Sequence, residues 1–594
     1  MRRDRPNLRL YLCLLQSELT AQMVMPREGV RVEPVRVKIE GVATRPFCAS
    51  GHTFYDYSMS SPISNPREGI QLLPYQLDGV RWLLDREAVA APCGRCAILG
   101  DDMGLGKTFQ CISYIKSSPF VDFKTAIICP PALVAGWTQE LTDCGFCVFQ
   151  LVGSSWRPVD ASRRRLPPIY ITTYPRVSIH RRALCRDILF DRIILDEGHC
   201  IRNGPSTGRW SACVALAAKT AVRIILSATP VQNGGTDWRN LCWWMRVKCK
   251  STQLKEVAPI IMLRRTMAEL RDVVEALPPV PQWIVHDLHV QESQEKSVFM
   301  ALCNQMKEAM ESHHVSALMK LELYMRIQQF VVHPAIYIES MKRKFGAAYP
   351  RREWTGGCSK WTECMGILAE SIEDAVPSIV FCQFRTEMDM VAAEAAEMGA
   401  SVWSIRGGMS SAQVGAAVSE AKEAASAGQP LVVVVQIVAG GAGLNLQFCR
   451  RILFLSQHWN PAVVHQAVGR AVRIGQGAIV DIHCFRIVDE ALDNIDLRMA
   501  VLHGVKISGA RSICSSLFEG FALFTGGEKK LTPSPSLRGE GFRVLPAEEQ
   551  KIAPVLPVRV LPVVLPSPVQ PSNAASVDFH LDSDSESEDP RPLT

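Results

Sequence analysis

Five consecutive residues, Gly104-Leu105-Gly106-Lys107-Thr108, constrain this chain more than any other stretch. An apolar run, Cys96-Ala97-Ile98-Leu99, leads into them, and a helical pattern from Phe109 to Ile115 follows. Strand, glycine-rich turn and helix, in that order, is the context in which backbone N–H groups and a helix N-terminus wrap a polyphosphate. Lys107 then brings a point charge to the β- and γ-phosphates, and Thr108 offers its hydroxyl to Mg²⁺. The usual pattern opens with Gly five residues before its second Gly, and Asp101 stands there. The alternative reading of this stretch is a purely structural glycine turn.

The residues downstream favour the nucleotide. Asp191-Arg192-Ile193-Ile194-Leu195-Asp196-Glu197-Gly198-His199 is an apolar strand that ends in adjacent carboxylates. Hydrolysis of Mg-ATP needs such a pair: Asp196 to hold Mg²⁺, and Glu197 to orient and deprotonate a water. Further buried-type strands fall at Thr125 to Cys129, Val148 to Val152, Ile169 to Thr173 and Arg223 to Leu226, the last tipped by Ser227-Ala228-Thr229. Strands alternating with helices predict a mostly parallel α/β sheet with its site at the C-terminal strand ends. Upstream, a helix opens at Leu72-Leu73-Pro74-Tyr75-Gln76. Gln76 suits an adenine edge, although an ordinary amphipathic helix explains the same residues.

From about Thr236 to Thr355 the pattern reads as helical. A second strand–helix alternation starts at Ser378-Ile379-Val380-Phe381 and includes Leu431-Val432-Val433-Val434-Val435. It reaches Gln466-Ala467-Val468-Gly469-Arg470-Ala471-Val472-Arg473, predicted as a helix with Arg470 and Arg473 on one face. A second lobe that presents two arginines to an ATP held by the first is an arginine-finger arrangement.

Composition sets the remaining bounds. At 594 residues the chain exceeds one domain, and its net charge of +6 permits nucleic-acid binding only through a local basic surface. The twenty cysteines are scattered through apolar segments, which points to reduced thiols. Cys93 with Cys96 and Cys144 with Cys147 have the spacing of a zinc site, but nothing in the sequence makes the two pairs neighbours. His313-His314 reads as a solvated helix face. No apolar run reaches eighteen residues, so no membrane partner is expected, and the N-terminus has little of a leader. From about residue 525 the period disappears into a Pro-rich stretch and an acidic serine tract, Asp582 to Asp589, with the composition of a disordered tail. Val577-Asp578-Phe579-His580-Leu581 just before it resembles a binder of small ubiquitin-like modifiers, so protein partners are expected through the tail, the alternative being a solubilising segment.

Taken in order, these motifs resemble the switch/sucrose-non-fermenting (SWI/SNF-type) helicase-like ATPases of helicase superfamily two. The resemblance covers about residues 68 to 510. It rests on Leu73-Pro74-Tyr75-Gln76, on Asp101-Asp102-Met103 with the glycine-rich turn, and on Asp196-Glu197-Gly198-His199. It rests equally on Leu263-Arg264-Arg265-Thr266, Gly443-Leu444-Asn445-Leu446, Trp459-Asn460-Pro461 and Arg473-Ile474-Gly475-Gln476. Arg192 to Asn203 and Trp459 to Val463 look most like the subgroup of helicase-like transcription factor and Lodestar-type factors. Similar proteins occur in large DNA viruses, and the small accessory regions suit a viral copy.

The resemblance implies two RecA-like parallel-sheet lobes with helical insertions between them, closing on ATP and Mg²⁺ and tracking along double-stranded DNA. It places the first lobe at 68–275, a helical insertion at 276–354, the second lobe at 355–510 and the tail at 525–594, with 1–67 left without a role. By position, Gln76 reads adenine and Asp102, Met103, Gly104, Leu105, Gly106, Lys107 and Thr108 hold phosphate and Mg²⁺. Asp196 and Glu197 are the hydrolytic pair, and Arg470 and Arg473 are the fingers, with Gln466 beside them. A nuclear location follows, in the host nucleus for a viral copy.

Three departures stand out. Ser227-Ala228-Thr229 has the form of general superfamily-two helicases, Gly469 replaces a common Asp, and the Arg usual a few residues after Gly408-Met409 is absent. The subgroup's zinc-binding RING insertion is also missing, so ubiquitin ligase activity is not expected. Besides a DNA-stimulated translocase, the sequence leaves open a DNA-binding regulator with little ATPase and a strand-separating helicase.

Overall fold

The computed structural model describes residues 63–88, 95–159, 166–247, 253–312, 314–346, 349, 353–438, 444–488, 495–515 and 517. Fourteen strands among these residues form two sheets. The first contains β1 (Arg95–Leu99), β2 (Thr125–Cys129), β3 (Phe146–Val152), β4 (Ser155–Pro158), β5 (Leu166–Thr173), β6 (Arg192–Asp196), β7 (Val222–Leu226) and β8 (Met262–Leu263). Their order is β4-β3-β5-β2-β6-β7-β1-β8, parallel throughout except for the β3–β4 hairpin. The second contains β9 (Gln282–Leu288), β10 (Ser378–Cys382), β11 (Ser401–Ile405), β12 (Leu431–Gln436), β13 (Arg451–Phe454) and β14 (Asp481–Ile487). Its order is β11-β12-β10-β13-β14-β9, and every pairing is parallel.

Parallel strands are covered by helices on both faces, so they read as unbroken apolar runs. β2, β7 and β10 are buried at every residue, as their sequences require. Two of the connecting helices start at side-chain caps: Thr173 accepts from the N–H of Arg176, and Thr207 from that of Trp210. In the first sheet β6, β7 and β1 are neighbours, with Asp196 and Leu99 each in register with Leu226. The glycine-rich turn after β1, the carboxylates at the end of β6 and Ser227 after β7 therefore emerge side by side.

The segment read as helical contains two strands. Met262–Leu263 pairs with β1, and Gln282–Leu288 pairs along its whole length with β14 as the outer strand of the second sheet. Gln282–Leu288 is only partly buried, so its run lacks the apolar signature of the central strands. Three helices follow it, Ser293–Glu311, Ala317–Val332 and Pro334–Phe345, around a core of Phe299, Phe330 and Tyr337 that Ile487 joins. Cys96 and Cys147 do not meet. β1, which carries Cys96, and β3, which carries Cys147, have four strands between them in the sheet, about 24 Å at the usual spacing; Cys93 lies outside the described residues, as do His313, Ala439 to Gly443, the N-terminal segment to 62 and the Pro-rich and acidic stretch.

Candidate nucleotide site between two lobes

The turn after β1 bends through two left-handed glycines, Gly104 at φ +82° and Gly106 at φ +75°. The second is the N-cap of helix Lys107–Ser117, and no side chain caps that end, which leaves its first N–H groups facing the turn. A Cβ on Gly106 would lie 2.4 Å from Gln76 Nε2. Gln76 is bound within its own lobe: its Nε2 donates to Leu105 O at 3.2 Å, and its Oε1 accepts the Leu73 N–H at 3.0 Å. The Tyr75 hydroxyl donates to the same Leu105 carbonyl at 2.9 Å. The Gln76 side chain thus stands directly against the turn it precedes by about thirty residues.

Asp101, the departure from the usual glycine, is wholly buried. Arg265 clasps its carboxylate, Nε to Oδ1 at 2.9 Å and Nη2 to Oδ2 at 2.5 Å, while Gln110 donates to Oδ2 at 3.0 Å. Asp102 pairs with Arg264 at 2.6 Å and accepts the Met267 N–H at 3.2 Å. Both carboxylates of the cradle are thus turned to the adjacent arginines that follow β8. The sequence assigns those arginines no role beyond a motif, since only the fold brings them 162 to 164 residues back to Asp102 and Asp101.

Lys107 Nζ donates to the carbonyls of Asp101 at 2.7 Å and Asp102 at 3.0 Å. Burial pulls its ammonium below the ordinary lysine range, opposed by the charges of Glu197, Asp101, Asp102 and Asp196. Thr108 follows on the first helical turn.

Across the turn stand the carboxylates at the end of β6. Trp137 Nε1 donates to Asp196 Oδ2 at 2.7 Å, and the Glu197 N–H donates to Oδ1 at 3.0 Å. Burial, then the charge of Glu197, pushes the Asp196 carboxyl up to about 7. Glu197 itself is held below the usual range: burial raises it, but His199 and the cations Lys107 and Arg470 outweigh that. Its backbone is left-handed, φ +50°, a strained conformation for a non-glycine residue. His199 Nδ1 lies 3.2 Å from Glu197 Oε2 and 3.1 Å from Ser227 Oγ, so the hydroxyl tip of β7 reaches the carboxylate pair through one imidazole.

The second lobe closes on this face. Helix Pro461–Val468 starts at Asn460, whose Oδ1 accepts the Ala462 N–H at 3.1 Å, and carries the buried Gln466. Arg470 and Arg473 do not share its face. The helix ends at Val468, and tight turns follow, with the Arg470 N–H donating to Ala467 O and the Ala471 N–H to Val468 O. Gly469 is the C-cap, and its low helix propensity ends the run that the spacing alone would continue. The turns still aim the arginines at the first lobe. Arg470 is buried near the charges of Glu197 and Asp196, and burial lowers its guanidinium to about 10. Arg473 packs on the glycine-rich turn: a Cβ on Gly104 would lie 2.8 Å from Arg473 Cβ. Gly469 sits against Met103 in the same way, 2.9 Å from added Cβ to Met103 Cβ. An Asp there would collide with Met103, so the missing side chain is what allows this approach. Asn460 Nδ2 also donates to Gln232 Oε1 at 2.8 Å, joining the lobes through two buried amides.

Comparison with known proteins finds two domains in the chain. A family profile for an SNF2-related domain matches residues 75–249, and one for a helicase conserved C-terminal domain matches 359–475. The chain is 26% identical over 449 residues to the "Probable global transactivator" of Orgyia pseudotsugata multicapsid polyhedrosis virus, covering 68% of this chain and 84% of that protein. It is 24% identical over 449 residues to chromatin remodeling factor mit1 of Schizosaccharomyces pombe, covering 69% of this chain and 31% of that protein. Among solved structures, the Sulfolobus solfataricus SWI2/SNF2 ATPase core in complex with dsDNA matches 77% of this chain and 96% of its own, at 21% identity and a TM-score of 0.32. The chain thus spans most of the viral relative and about a third of the yeast one. With an SNF2-related domain followed by a helicase C-terminal domain, it belongs to the SNF2-type helicase-like ATPases of helicase superfamily two.

Proposed function

We propose that this protein is an ATP-dependent translocase on double-stranded DNA that displaces or remodels protein–DNA complexes in transcription, chromatin or repair. One observation carries the reading: Arg470 and Arg473 of the second lobe are set against Glu197 and the glycine-rich turn of the first. A site completed only when two lobes meet can convert hydrolysis into relative motion of those lobes.

The donor set suits Mg-ATP. A helix N-terminus without a side-chain cap, a half-buried Lys107 held by two carbonyls, and the carboxylates at the end of β6 match polyphosphate and a hard cation. Asp196 and Thr108 would hold Mg²⁺, which when bound neutralises phosphate charge. Trp137 and the Glu197 N–H fix the Asp196 carboxylate in one orientation. Glu197, kept ionised by His199 and its neighbouring cations, accepts the proton of an attacking water. Arg470 and Arg473 stabilise charge that develops on the transferred group.

The DNA role would rest on phosphate contacts, which are independent of sequence and fade with salt. Ser227-Ala228-Thr229 keeps strand separation as a second reading. Both are tested by measuring displacement of a third strand and unwinding of a fork side by side, with Glu197→Gln as the control. The expected result is duplex-stimulated hydrolysis and triplex displacement, both abolished in Glu197→Gln, with the fork left paired. Fork unwinding without triplex displacement would make the protein a strand-separating helicase. Absence of stimulation by any nucleic acid would leave a DNA-binding regulator.

A further inference from the structure

In the first lobe helix Tyr174–Asp187 packs on helix Gly208–Leu216, which Trp210 and Trp244 tie in turn to helix Gly235–Trp244. The first exposes Arg176, Arg181 and Arg182. Arg209 on the second, Lys219 in the turn after it, and Arg239 and Arg246 on and after the third are exposed as well. Among the described side chains from 174 to 247 no carboxylate is exposed: Asp191, Asp196 and Glu197 are half-buried, and Asp237 is buried. A net charge of only +6 over 594 residues makes this concentration of one sign a local feature rather than a reflection of the whole.

Within that flank stands Trp243, 57% exposed, where the neighbouring Trp210, Trp238 and Trp244 are buried. It is rigidly supported. Its ring meets Trp210 edge to face at 4.9 Å between centroids. Trp210 Nε1 donates to Asn240 O and Trp244 Nε1 to Cys213 O, pinning the two helices together. Arg239 and Arg246 stand four residues before and three after Trp243, and Arg246 reaches across to the Ala218 carbonyl beside Lys219. One side of the indole is packed on Trp210, and the other is left to solvent. The helix enters from Gly234, whose Cα would lie 3.9 Å from a Cβ added to Gly509, and the nine residues from Gly234 to Trp243 carry the indole about 14 Å along the helix axis from that point.

We propose that this flank is a binding site for single-stranded nucleic acid, separate from the interlobe cleft, in which a base stacks on Trp243 and the arginines follow the phosphates. A polyanion is selected by exposed cations that outnumber the exposed carboxylates among the described side chains of 174 to 247, and a flat apolar surface is selected by the exposed indole. A single strand supplies both in each nucleotide. A duplex supplies only phosphates, because its bases are already stacked. An acidic peptide supplies charge without a regular succession of rings.

The test is fluorescence anisotropy of a labelled fifteen-residue oligothymidylate on the full chain, with unlabelled duplex DNA saturating the cleft. Trp243→Ala should weaken binding on the order of ten-fold, the value of one lost base stack, while Trp243→Phe retains most of it. Arg239→Ser with Arg246→Ser should weaken binding and flatten its salt dependence. Duplex-stimulated ATPase should be unchanged in Trp243→Ala, whose fold is checked by its melting temperature. Should that variant not fold, the arginine pair and Trp243→Phe decide the matter. Oligothymidylate bound equally by Trp243→Ala and the parent, or a salt dependence unmoved by the arginine pair, would overturn the site. So would polyglutamate displacing the oligonucleotide at equal charge, which would make the flank a surface for acidic proteins. A duplex affinity that falls in step with the single-strand affinity would equally remove stacking as the cause.

Discussion

Arg473 is half-embedded in the opposite lobe's turn, its Cα and Cβ 3.0 and 2.8 Å from the point where a Gly104 Cβ would be. Its guanidinium reaches back to Leu444 O at 3.5 Å, a long contact that leaves room for the group to swing. If it serves as a finger, Arg473→Ala should lower turnover on the order of a thousand-fold while nucleotide affinity changes little, as read by kcat against equilibrium binding. Equal loss of both would make Arg473 a packing residue of the seam. Asp101 teaches a different lesson at the same scale. A charged residue fits at this buried position before the glycine-rich turn because Arg265 and Gln110 satisfy both of its carboxylate oxygens.

Helix Arg385–Glu397 in the second lobe shows how an element can be tied to pH. Its Glu387 is wholly buried, and one carboxylate oxygen accepts the N–H groups of Gln383 at 2.7 Å and Phe384 at 3.0 Å. Burial nevertheless pushes the carboxyl from 4.5 up to about 7, against those N–H groups and Lys360. The folded protein therefore keeps a proton that the unfolded chain releases between these values. Stability must fall as pH rises from 4.5 to 7, with the loss complete above 7. The ceiling is about 3 kcal/mol. Glu387→Gln retains an acceptor for both N–H groups and cannot ionise, so its urea-unfolding free energy should change less between pH 5 and pH 8 than that of the parent. Identical pH dependence in the two proteins would show that the buried carboxyl does not titrate in this range.

At the scale of the whole molecule, the lobes communicate through a short series of side chains. Glu197 and Ser227 both stand at His199, Thr229 accepts from Gln232 Nε2 at 3.3 Å, and Gln232 accepts from Asn460, which caps the helix leading to Arg470. Helix Ile495–Arg511 braces the far side, with Lys506 donating to Trp459 O at 3.0 Å and Gly509 placed so that an added Cβ would lie 3.9 Å from Gly234 Cα. Asn460→Ala removes the tie between lobes and leaves a buried Gln232 oxygen without its donor, at a cost of about 1–3 kcal/mol to the closed state. The expected outcome is a more open population by interlobe fluorescence transfer, with DNA stimulation of ATPase reduced more than basal turnover. An unchanged distance distribution would place the coupling elsewhere.

Much of the architecture of the sheets was legible from the chain alone. Glycine spacing, an apolar strand ending in Asp196-Glu197 and long buried runs such as Leu431 to Val435 are local patterns, because a strand covered on both faces needs an unbroken apolar run and a tight turn needs its glycines at fixed places. The edge strand Gln282–Leu288 was not legible, since half-exposed positions carry no unbroken apolar run. The helix over Arg470 and Arg473 was overextended, because spacing counts periodicity and does not see Gly469 ending the last turn against Met103. What only the tertiary structure decided are the contacts between residues far apart in the chain: Arg265 on Asp101, Trp137 on Asp196, Asn460 on Gln232 and Trp243 left uncovered among basic helices. Such pairs depend on strand order and lobe closure. A periodicity read along one segment carries no information about which distant segment will lie across from it.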